Sequence, residues 1–526
     1  MKVFIFAIGG TGARALRALS FCLASGMYNV NKDLEIVPMI IDYDATNGDK
    51  TRAKEALKDY MELHNAAYEQ NNIAIKPEFR NFFLPRISYL KEISTRNDNP
   101  TDEIDDTFEF TFNGSTSSSR GTFADYLNLR TLTGEKSTTA DLLSALYNDA
   151  KVTDPDYAYT ELNLDMEKGF KGNPNIGTVV FDKISASPEF DVFAKNFDPN
   201  NDRAFIVGSI FGGTGSSGIP QMISAIRKHN VNGFHDCKIG AAIVMPYFKV
   251  DTPREGGAIN SNIFKSKQKA ALGYYNLMRK EFNLSATYYM ADQDNLQTVL
   301  NYSEGNENQQ NNAHIVEMLM ALSVLDFASR PGNQLNGDTF EFGLKFDFGG
   351  RQDPLQLKNF GNNTKEQVLK PLAYLTIASK YYKDYLITNK RDNNLAYFSS
   401  LDLATKVSGG SYATFTSFIK RLFEWLDEMN KQEHPFKPFV TNAKNLDTLI
   451  EGYKDNSGFL SDDADYKGFN AECNRIFKIL SGNRENNSKK YPGFNSNSDI
   501  NKNEYLLFFK LMYETAIIIF NKLKEK

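Results

Sequence analysis

The strongest structural signal in this chain is the segment Gly212-Gly213-Thr214-Gly215-Ser216-Ser217-Gly218. It follows an apolar run from Ala204 to Ile210 and precedes a segment with helical spacing of apolar residues, Ile219 to Lys228. Four glycines allow several backbone N–H groups to approach one point, and the start of a helix favours an anion there. The threonine and the two serines would add hydroxyl donors. The segment therefore predicts a phosphate-binding loop between a strand and a helix, because a packing turn alone does not require this composition.

A second glycine turn lies near the start of the chain. Val3 to Ile8 form an apolar run that ends in Gly9-Gly10-Thr11-Gly12, and Ala13 to Ala24 carry leucines at helical spacing. Ile36 to Ile41 form the next apolar run, which ends in Asp42-Tyr43-Asp44 before a polar turn and another helical stretch. This order predicts a first βαβ unit.

The same alternation of strands and helices returns after the long glycine segment. Lys238 to Val244 and Ala286 to Met290 are predicted strands, and Asn262 to Phe282 between them is a predicted helix. Parallel neighbouring strands need crossover connections, which such helices provide. The predicted fold class is therefore α/β, with a Rossmann-like parallel sheet covered by helices on both faces.

Ala313 to Ser329 is apolar almost all the way round, which predicts a long central helix buried between layers, and the Asn/Gln-rich Gly305 to Asn312 before it predicts a solvated loop. The region from about 71 to 161 is less regular and is interpreted as an elaborated surface region or an insertion. We predict a nucleotide-binding domain at 1–345 and a mainly α-helical domain at 346–526. The clearest C-terminal helical segments are Lys370 to Asn389, Tyr412 to Lys431, Phe469 to Leu480 and Glu504 to Lys524.

Composition narrows the class of protein. A chain of 526 residues with 41% hydrophobic residues and 40 phenylalanines can bury more than one core. The formal net charge of -5 offers no overall attraction to nucleic acid or anionic lipid, and we find no direct signal for either partner. The three cysteines form no CxxC pair, so neither a disulfide framework nor a zinc site is supported, and no apolar stretch reaches the ~20 residues of a membrane span. We expect a soluble cytoplasmic protein.

The long glycine segment lacks the lysine of a Walker A loop and instead resembles the G-G-G-T-G-[ST]-G signature of tubulin and FtsZ, with Phe211 in place of the first glycine and one extra serine. Further pieces of the family pattern occur in the same order. Ile8 to Arg14 resembles the first nucleotide-contacting loop, and Asp42-Tyr43-Asp44-Ala45 is similar to the family's Asn-Thr-Asp-Ala. Gly172-Asn173-Pro174-Asn175-Ile176-Gly177 resembles the γ-phosphate loop, and the segment 313–329 matches the central helix. The resemblance covers roughly residues 1–345 and indicates a divergent bacterial tubulin-like protein.

This resemblance implies a nucleotide site shared between subunits. Asn336-Gly337-Asp338-Thr339-Phe340-Glu341 resembles the FtsZ catalytic loop Asn-x-Asp-x-x-Asp, with glutamate replacing the second aspartate. In the family this loop completes the nucleotide site of the next subunit, so Asp338 and Glu341 would position the attacking water if the loop turns back, with Asn336 facing the nucleotide. The implied ligands are GTP, or another nucleoside triphosphate, with Mg²⁺, and the implied partner is a second copy bound head to tail. The alternative is that both acids are ordinary exposed turn residues.

Two departures from the family pattern concern the base and the filament. The family's base-contacting asparagines fall on Arg14 and His314, whose side chains present different donors and acceptors to guanine. GTP is thus expected from the resemblance alone, and His314 could equally cap the central helix. The C-terminal sheet domain of the family is not recognisable after Asp353, so filament formation is a hypothesis.

Two other functions stay open. Gly10 to Ala15 fits G-x-G-x-x-A after a first strand, and Asp42 or Asp44 ends the second strand, as in an NAD(P)-dependent oxidoreductase. That interpretation leaves the segment 212–218 unexplained. The third possibility is a nucleotide-binding scaffold that does not hydrolyse its ligand.

Overall fold

The computed structural model describes residues 1–44, 46–69, 75–111, 121–129, 138–147, 161–231, 233–250, 261–292, 298–300, 311–343, 354–387, 410–433, 435–443, 449–451, 453–455, 466–482 and 503–525. The strands of this part of the chain are β1 (Lys2–Ile8), β2 (Glu35–Ile41), β3 (Arg86–Ile87), β4 (Arg203–Ser209), β5 (Lys238–Val244), β6 (Phe248–Val250), β7 (Ala286–Ala291), β8 (Thr298–Leu300), β9 (Asp338–Gly343), β10 (Tyr453–Asp455) and β11 (Leu523–Glu525). Its α-helices are α1 (Gly9–Ser25), α2 (Gly48–His64), α3 (Leu90–Arg96), α4 (Phe123–Tyr126), α5 (Thr138–Leu146), α6 (Pro174–Phe181), α7 (Pro188–Asn196), α8 (Gly213–Lys228), α9 (Ser261–Leu277), α10 (Arg279–Phe282), α11 (Ile315–Ser329), α12 (Asn362–Thr364), α13 (Lys370–Tyr381), α14 (Gly410–Asn430), α15 (Tyr466–Gly482) and α16 (Glu504–Phe520).

Seven strands form one sheet in the order β3-β2-β1-β4-β5-β7-β9, and all neighbours in it are parallel. The strand order reverses between β1 and β4, which pair from Val3↔Arg203 to Ile8↔Gly208. In doubly wound sheets ligands bind outside the carboxyl ends of the strands at such a reversal. The two glycine segments of the sequence follow these two strands directly.

Helices cover both faces of the sheet, as the alternation of side chains along β1 shows. Val3, Ile5 and Ala7 belong to one hydrophobic core with α1 and α11, whereas Phe4, Phe6 and Ile8 belong to a second core with α6, α7 and α8. Since both faces are covered, the strand is apolar at every position rather than at alternate ones. The prediction of an α/β fold with a parallel sheet between helical layers is confirmed.

The central helix is also confirmed, and α11 begins at Ile315, two residues later than predicted. It is buried on nearly every side between the sheet and α1. Its carboxyl end is held by Arg203 at the start of β4, whose guanidinium donates to the carbonyls of Phe327 and Ala328 and, at 2.7 Å, to that of Arg330. A cation at this end of a helix satisfies carbonyls that lack a partner in the helix.

The helices after residue 354 share the first of these cores. Phe21 of α1 lies 5.3 Å from Phe418 and 5.1 Å from Trp425, and Phe83 lies 5.0 Å from Phe509, measured between ring centroids. The four predicted C-terminal helices correspond to α13, α14, α15 and α16. The predicted domain boundary after residue 345 lies outside the described residues, as does the predicted loop before residue 311.

The irregular region from about 71 to 161, interpreted from the sequence as an elaborated surface region or an insertion, contributes to the main sheet. It contains β3, which pairs with β2 through Glu35↔Arg86 and Ile36↔Ile87 and forms the edge of the main sheet. A strand of two residues leaves no periodic pattern in a sequence, so it escaped detection. Across the part of the chain that the structure describes, no helix has the length and apolarity needed to cross a lipid bilayer.

Candidate functional site

The two glycine segments form the first turns of two helices rather than loops. Gly9 is the first residue of α1, and Gly213 is the first residue of α8. Their N-cap residues are Ile8 and Gly212, neither of which has a side chain that can accept a hydrogen bond from the helix. The N–H groups of both first turns thus lack a side-chain cap and face the reversal point of the sheet. Two positive helix ends in one place favour a negatively charged ligand.

These two helix ends touch each other. Gly9 has a φ of +70°, and a β-carbon placed on it would lie 3.3 Å from the Cβ of Thr214 and 3.8 Å from the backbone N of Gly215. A side chain at position 9 would therefore be both strained in its backbone conformation and crowded by the facing turn. Glycine here lets the start of α1 approach the start of α8.

The third segment predicted to contact the nucleotide, Gly172 to Gly177, also lies at the start of α8. A β-carbon on Gly213 would lie 3.1 Å from the backbone N of Gly172 and 3.0 Å from that of Asn173. Asn173 is the N-cap of α6, and Pro174 is its first residue. The structure thus brings together the three segments that the sequence singled out for phosphate binding, although they are separated by up to about two hundred residues.

Several of the glycines serve packing rather than a ligand. A β-carbon on Gly12 would overlap the carbonyl carbon of Ala7, and one on Gly215 would overlap the carbonyl oxygen of Ser209. A β-carbon on Gly218 would lie 2.7 Å from Cγ2 of Ile8. These three glycines allow α1 and α8 to pack closely on the strands. Five residues of the two turns stay partly exposed, and the space beside them is called the crevice below: Gly10, Thr11, Gly212, Thr214 and Ser216.

The hydroxyl of Ser217, which was predicted as a donor to phosphate, donates within its own helix. Its side chain is buried, and its hydroxyl donates to the carbonyl of Gly213 at 2.7 Å within the same helix. A β-carbon on Gly177 of α6 would overlap the Ser217 hydroxyl, so this side chain fills the contact between α6 and α8. The hydroxyl of Ser216 also donates to carbonyls of its own helix, those of Gly212 and Gly213, but this residue stays partly exposed.

The predicted base contacts are also engaged elsewhere. Arg14 is 5% exposed; its guanidinium forms an ion pair with Glu317 of α11 and donates to the carbonyl of Asn312 at 2.7 Å. His314 is 2% exposed, its Nδ1 accepts from the Val316 amide at 3.2 Å, and its Nε2 lies 3.3 Å from Asp292. The interpretation of His314 as the cap of the central helix is confirmed. Burial of Glu317 in an apolar helix requires a cationic partner, which explains why Arg14 faces inward.

The two acids after β2 stabilise the turn into α2. Asp44 is buried and accepts from the Thr46 amide at 3.0 Å, whereas Asp42 is half-buried and accepts from the Asp44 amide and, at 3.1 Å, from the side chain of Asn47. Burial raises the pKa of Asp42 to about 7, with Asp44 adding to the effect and Lys50 opposing it. Asn47 lies against the first glycine turn, since a β-carbon on Gly10 would be 3.1 Å from its Nδ2. Sequence reasoning missed Asn47, although an asparagine before a glycine and a helical stretch is a typical N-cap.

The predicted acidic loop lies at the opposite end of the sheet. Asp338 begins β9 and pairs in register with Ala286, the first residue of β7, whereas the glycine turns follow the carboxyl ends of β1 and β4. Asn336, Asp338 and Glu341 are all exposed, and the Asn336 side chain donates to the Asn333 carbonyl at 2.8 Å. The expectation that a turning loop brings both acids to one water is wrong, because residues three apart in a strand point to opposite faces.

Sequence reasoning missed Lys267 of α9. Its ammonium donates to the carbonyl of Gly172, beside the start of α8, and burial lowers its pKa. Nothing in the sequence distinguishes this lysine from Lys269 on the same helix.

The described residues provide no metal cage of their own: among them, no three His, Cys, Asp or Glu side chains are grouped to hold an ion. Mg²⁺ in nucleotide sites is commonly held by one or two carboxylates together with the phosphates. The described residues therefore fit a Mg²⁺ ion only if it binds together with a nucleotide. Comparisons of the chain with models of protein families, with curated proteins and with solved structures found no match.

Proposed function

We propose that this chain binds a nucleoside triphosphate, with GTP as the first candidate, and that its phosphates lie at the starts of α1 and α8. The observation that carries the proposal is the meeting of two helix N-termini without side-chain caps at the reversal point of a parallel sheet, where Gly9 approaches Thr214. Backbone N–H groups and two helix dipoles would stabilise several negative charges there. The start of α6 adds a third backbone segment to the same crevice.

We further propose hydrolysis at a site completed by a neighbouring subunit, as in the tubulin and FtsZ superfamily. Within one chain the exposed Asp338 lies at the amino end of the sheet, away from the glycine turns. The 15 residues of α11 span about 22 Å. The helix follows Asn312, whose carbonyl accepts from Arg14 of α1, and ends before Arg330, whose carbonyl accepts from Arg203 at the start of β4. A head-to-tail stack would therefore set the acidic end of one chain against the glycine turns of the next.

The chemistry required of the neighbouring subunit is modest. Phosphoryl transfer depends mainly on positioning and on stabilisation of charge, so one carboxylate that orients a water would suffice beside the backbone amides. We assign this role to Asp338, which begins β9, with Asn336 beside it. Glu341 points to the opposite face of β9 and is expected to contribute less. Mg²⁺, when bound with the nucleotide, would neutralise phosphate charge.

Equilibrium binding tests the first part of the proposal. Purified protein is incubated with GTP, ATP or NAD⁺, and bound ligand is measured by calorimetry. Gly213→Ala introduces a β-carbon 3.0 Å from the Asn173 amide and should weaken triphosphate binding, whereas Gly273→Ala, with no atom within 4 Å, should not. Retention of NAD⁺ alone would favour an oxidoreductase that uses the Gly10–Ala15 turn, and would overturn the proposal.

Complementation tests the second part. Gly213→Ala alters the end of the subunit that carries the glycine turns. Asp338→Ala alters the opposite end, which carries the acidic residues. If each site is shared by two subunits, mixing the two weakly active variants in equal amounts should pair intact ends at roughly a quarter of the contacts and restore hydrolysis accordingly. Turnover per molecule should also rise with protein concentration. Activity of the mixture equal to the average of the separate variants would exclude a shared site, and binding without any turnover would favour a scaffold.

A further inference from the structure

The glycine turns offer backbone donors but no cationic side chain. Neither Ile8 to Ala13 nor Gly208 to Gly218 contains a lysine or an arginine. A nucleoside triphosphate carries several negative charges, and proteins that bind one usually add a lysine or arginine to the backbone donors. A cation from another element is therefore needed at this crevice.

The cations of α1 and α2 nearest to the crevice already have anionic partners. Arg14 pairs with Glu317, and Lys50 lies 3.1 Å from Glu109 and donates to the Asp44 carbonyl. Both side chains are almost fully buried. Moving either one to a ligand would leave a carboxylate without its counter-ion, at considerable cost.

Lys267 differs from these residues in its surroundings. Its ammonium donates to the Gly172 carbonyl, and a β-carbon on Gly172 would lie 3.2 Å from its Nζ. The amide of Gly172 in turn lies against Gly213, the first residue of α8. Over the described ranges, no carboxylate lies within ion-pair distance of this half-buried ammonium. Because burial without a counter-ion disfavours the charged form, an anion placed here would be well bound.

We propose that Lys267 is a phosphate-binding residue, whose ammonium passes from the Gly172 carbonyl to the terminal phosphates of a nucleotide bound at the start of α8. This inference rests on the proposed nucleotide site and deepens it. It assigns the ligand class as nucleoside polyphosphates, because a monophosphate would not place enough charge near both the amides of α8 and this lysine. The lysine thus replaces, from another helix, the cation that a Walker A loop carries within its own sequence.

The test uses the full chain and the variants Lys267→Gln, Lys267→Arg and Lys269→Gln. Lys269 lies on the same helix and is exposed, so its substitution removes the same charge away from the crevice. Competition against labelled GTP is measured with GTP, GMP and inorganic tripolyphosphate, and urea midpoints check that each variant is folded. Lys267→Gln should weaken GTP and tripolyphosphate about tenfold to a hundredfold, the range for one charge-assisted hydrogen bond. Affinity for GMP should be unchanged, and Lys267→Arg should recover most of the loss.

The outcomes separate the two proposals. If the unaltered chain binds neither GTP nor ATP, the proposed function fails. If it binds GTP and Lys267→Gln equals Lys269→Gln in affinity, or weakens GMP as much as GTP, the nucleotide site stands and the assignment of Lys267 is overturned. A loss found instead with Lys171→Gln, next to Gly172, would also overturn it.

Discussion

Substitution of Glu428 by alanine tests how the C-terminal helices are attached to the candidate site. Glu428 lies on α14, and its carboxylate accepts from Arg17 at 2.7 and 3.2 Å, from Arg52 at 3.0 Å and from the Ala313 amide at 2.9 Å. The side chains of Glu428 and Arg17 are only 14% and 6% exposed. The carboxylate thus joins α1, α2 and the segment that leads into α11.

The expected loss of stability follows from the charge that remains unpaired in Glu428→Ala. Arg17 would remain buried without its counter-ion, and removal of one partner of a buried ion pair typically costs about 3–5 kcal/mol. The matched control is Glu424→Ala, one turn earlier on α14, because Glu424 is 50% exposed and lies 3.9 Å from Lys420. An exposed pair of that kind contributes less than about 1 kcal/mol. The free energy of unfolding in urea at pH 7 should therefore fall much further for Glu428→Ala than for Glu424→Ala.

The pH dependence provides a second measurement on the same variants. Burial disfavours ionisation of Glu428, but the hydrogen bond and charge of Arg17, the charge of Arg52 and the hydrogen bond from the Ala313 amide together outweigh it and lower its pKa. A carboxyl group with a lowered pKa stabilises the folded state above its unfolded pKa and loses that effect as pH falls. The difference between the unaltered chain and Glu428→Ala should shrink below pH 4.5, the ordinary value for glutamate. Equal stability of the two alanine variants at pH 7 would refute the proposed attachment.

Four further substitutions test the packing and the electrostatics of the site. Gly12→Ala should destabilise the protein by about 3 kcal/mol or more, because the added carbon overlaps the backbone of Ala7, whereas Gly273→Ala should raise the melting temperature through a gain of about 0.5–1 kcal/mol in helix propensity. Ser217→Ala should leave GTP affinity unchanged in a binding titration, since its hydroxyl serves its own helix; a large loss would return this hydroxyl to the ligand. Asp42 has a folded pKa raised to about 7, so its contribution to the free energy of unfolding should fall as pH rises from about 4 to 7. The difference in free energy of unfolding between the unaltered chain and Asp42→Asn, measured in urea titrations, should therefore change with pH across this window. Identical slopes for the two proteins would contradict the raised pKa.

Local sequence patterns predicted those elements in which nearly every consecutive residue is buried. β1, β2, β4, β5 and β7 were predicted to within about a residue, because parallel strands between two helical layers are apolar at nearly every position. The central helix was recognised for a related reason, since a helix buried on all sides has no polar face. By contrast, the segment of β9 was interpreted as a loop from its resemblance to the FtsZ catalytic loop. It lies at a sheet edge with exposed polar residues, so it has no apolar run that would predict a strand.

By itself, the sequence determined the α/β alternation, the buried central helix and the glycine turns at the starts of two helices, since each depends on neighbouring residues. Only the tertiary structure decided which side chains at those turns remain available to a ligand. In the folded chain Arg14 forms an ion pair with Glu317, and the Ser217 hydroxyl donates within its own helix. The Lys267 ammonium donates to the Gly172 carbonyl, which lies 95 residues earlier in the chain. Such pairings are set by the packing of distant elements, and periodicity along the chain carries no information about them.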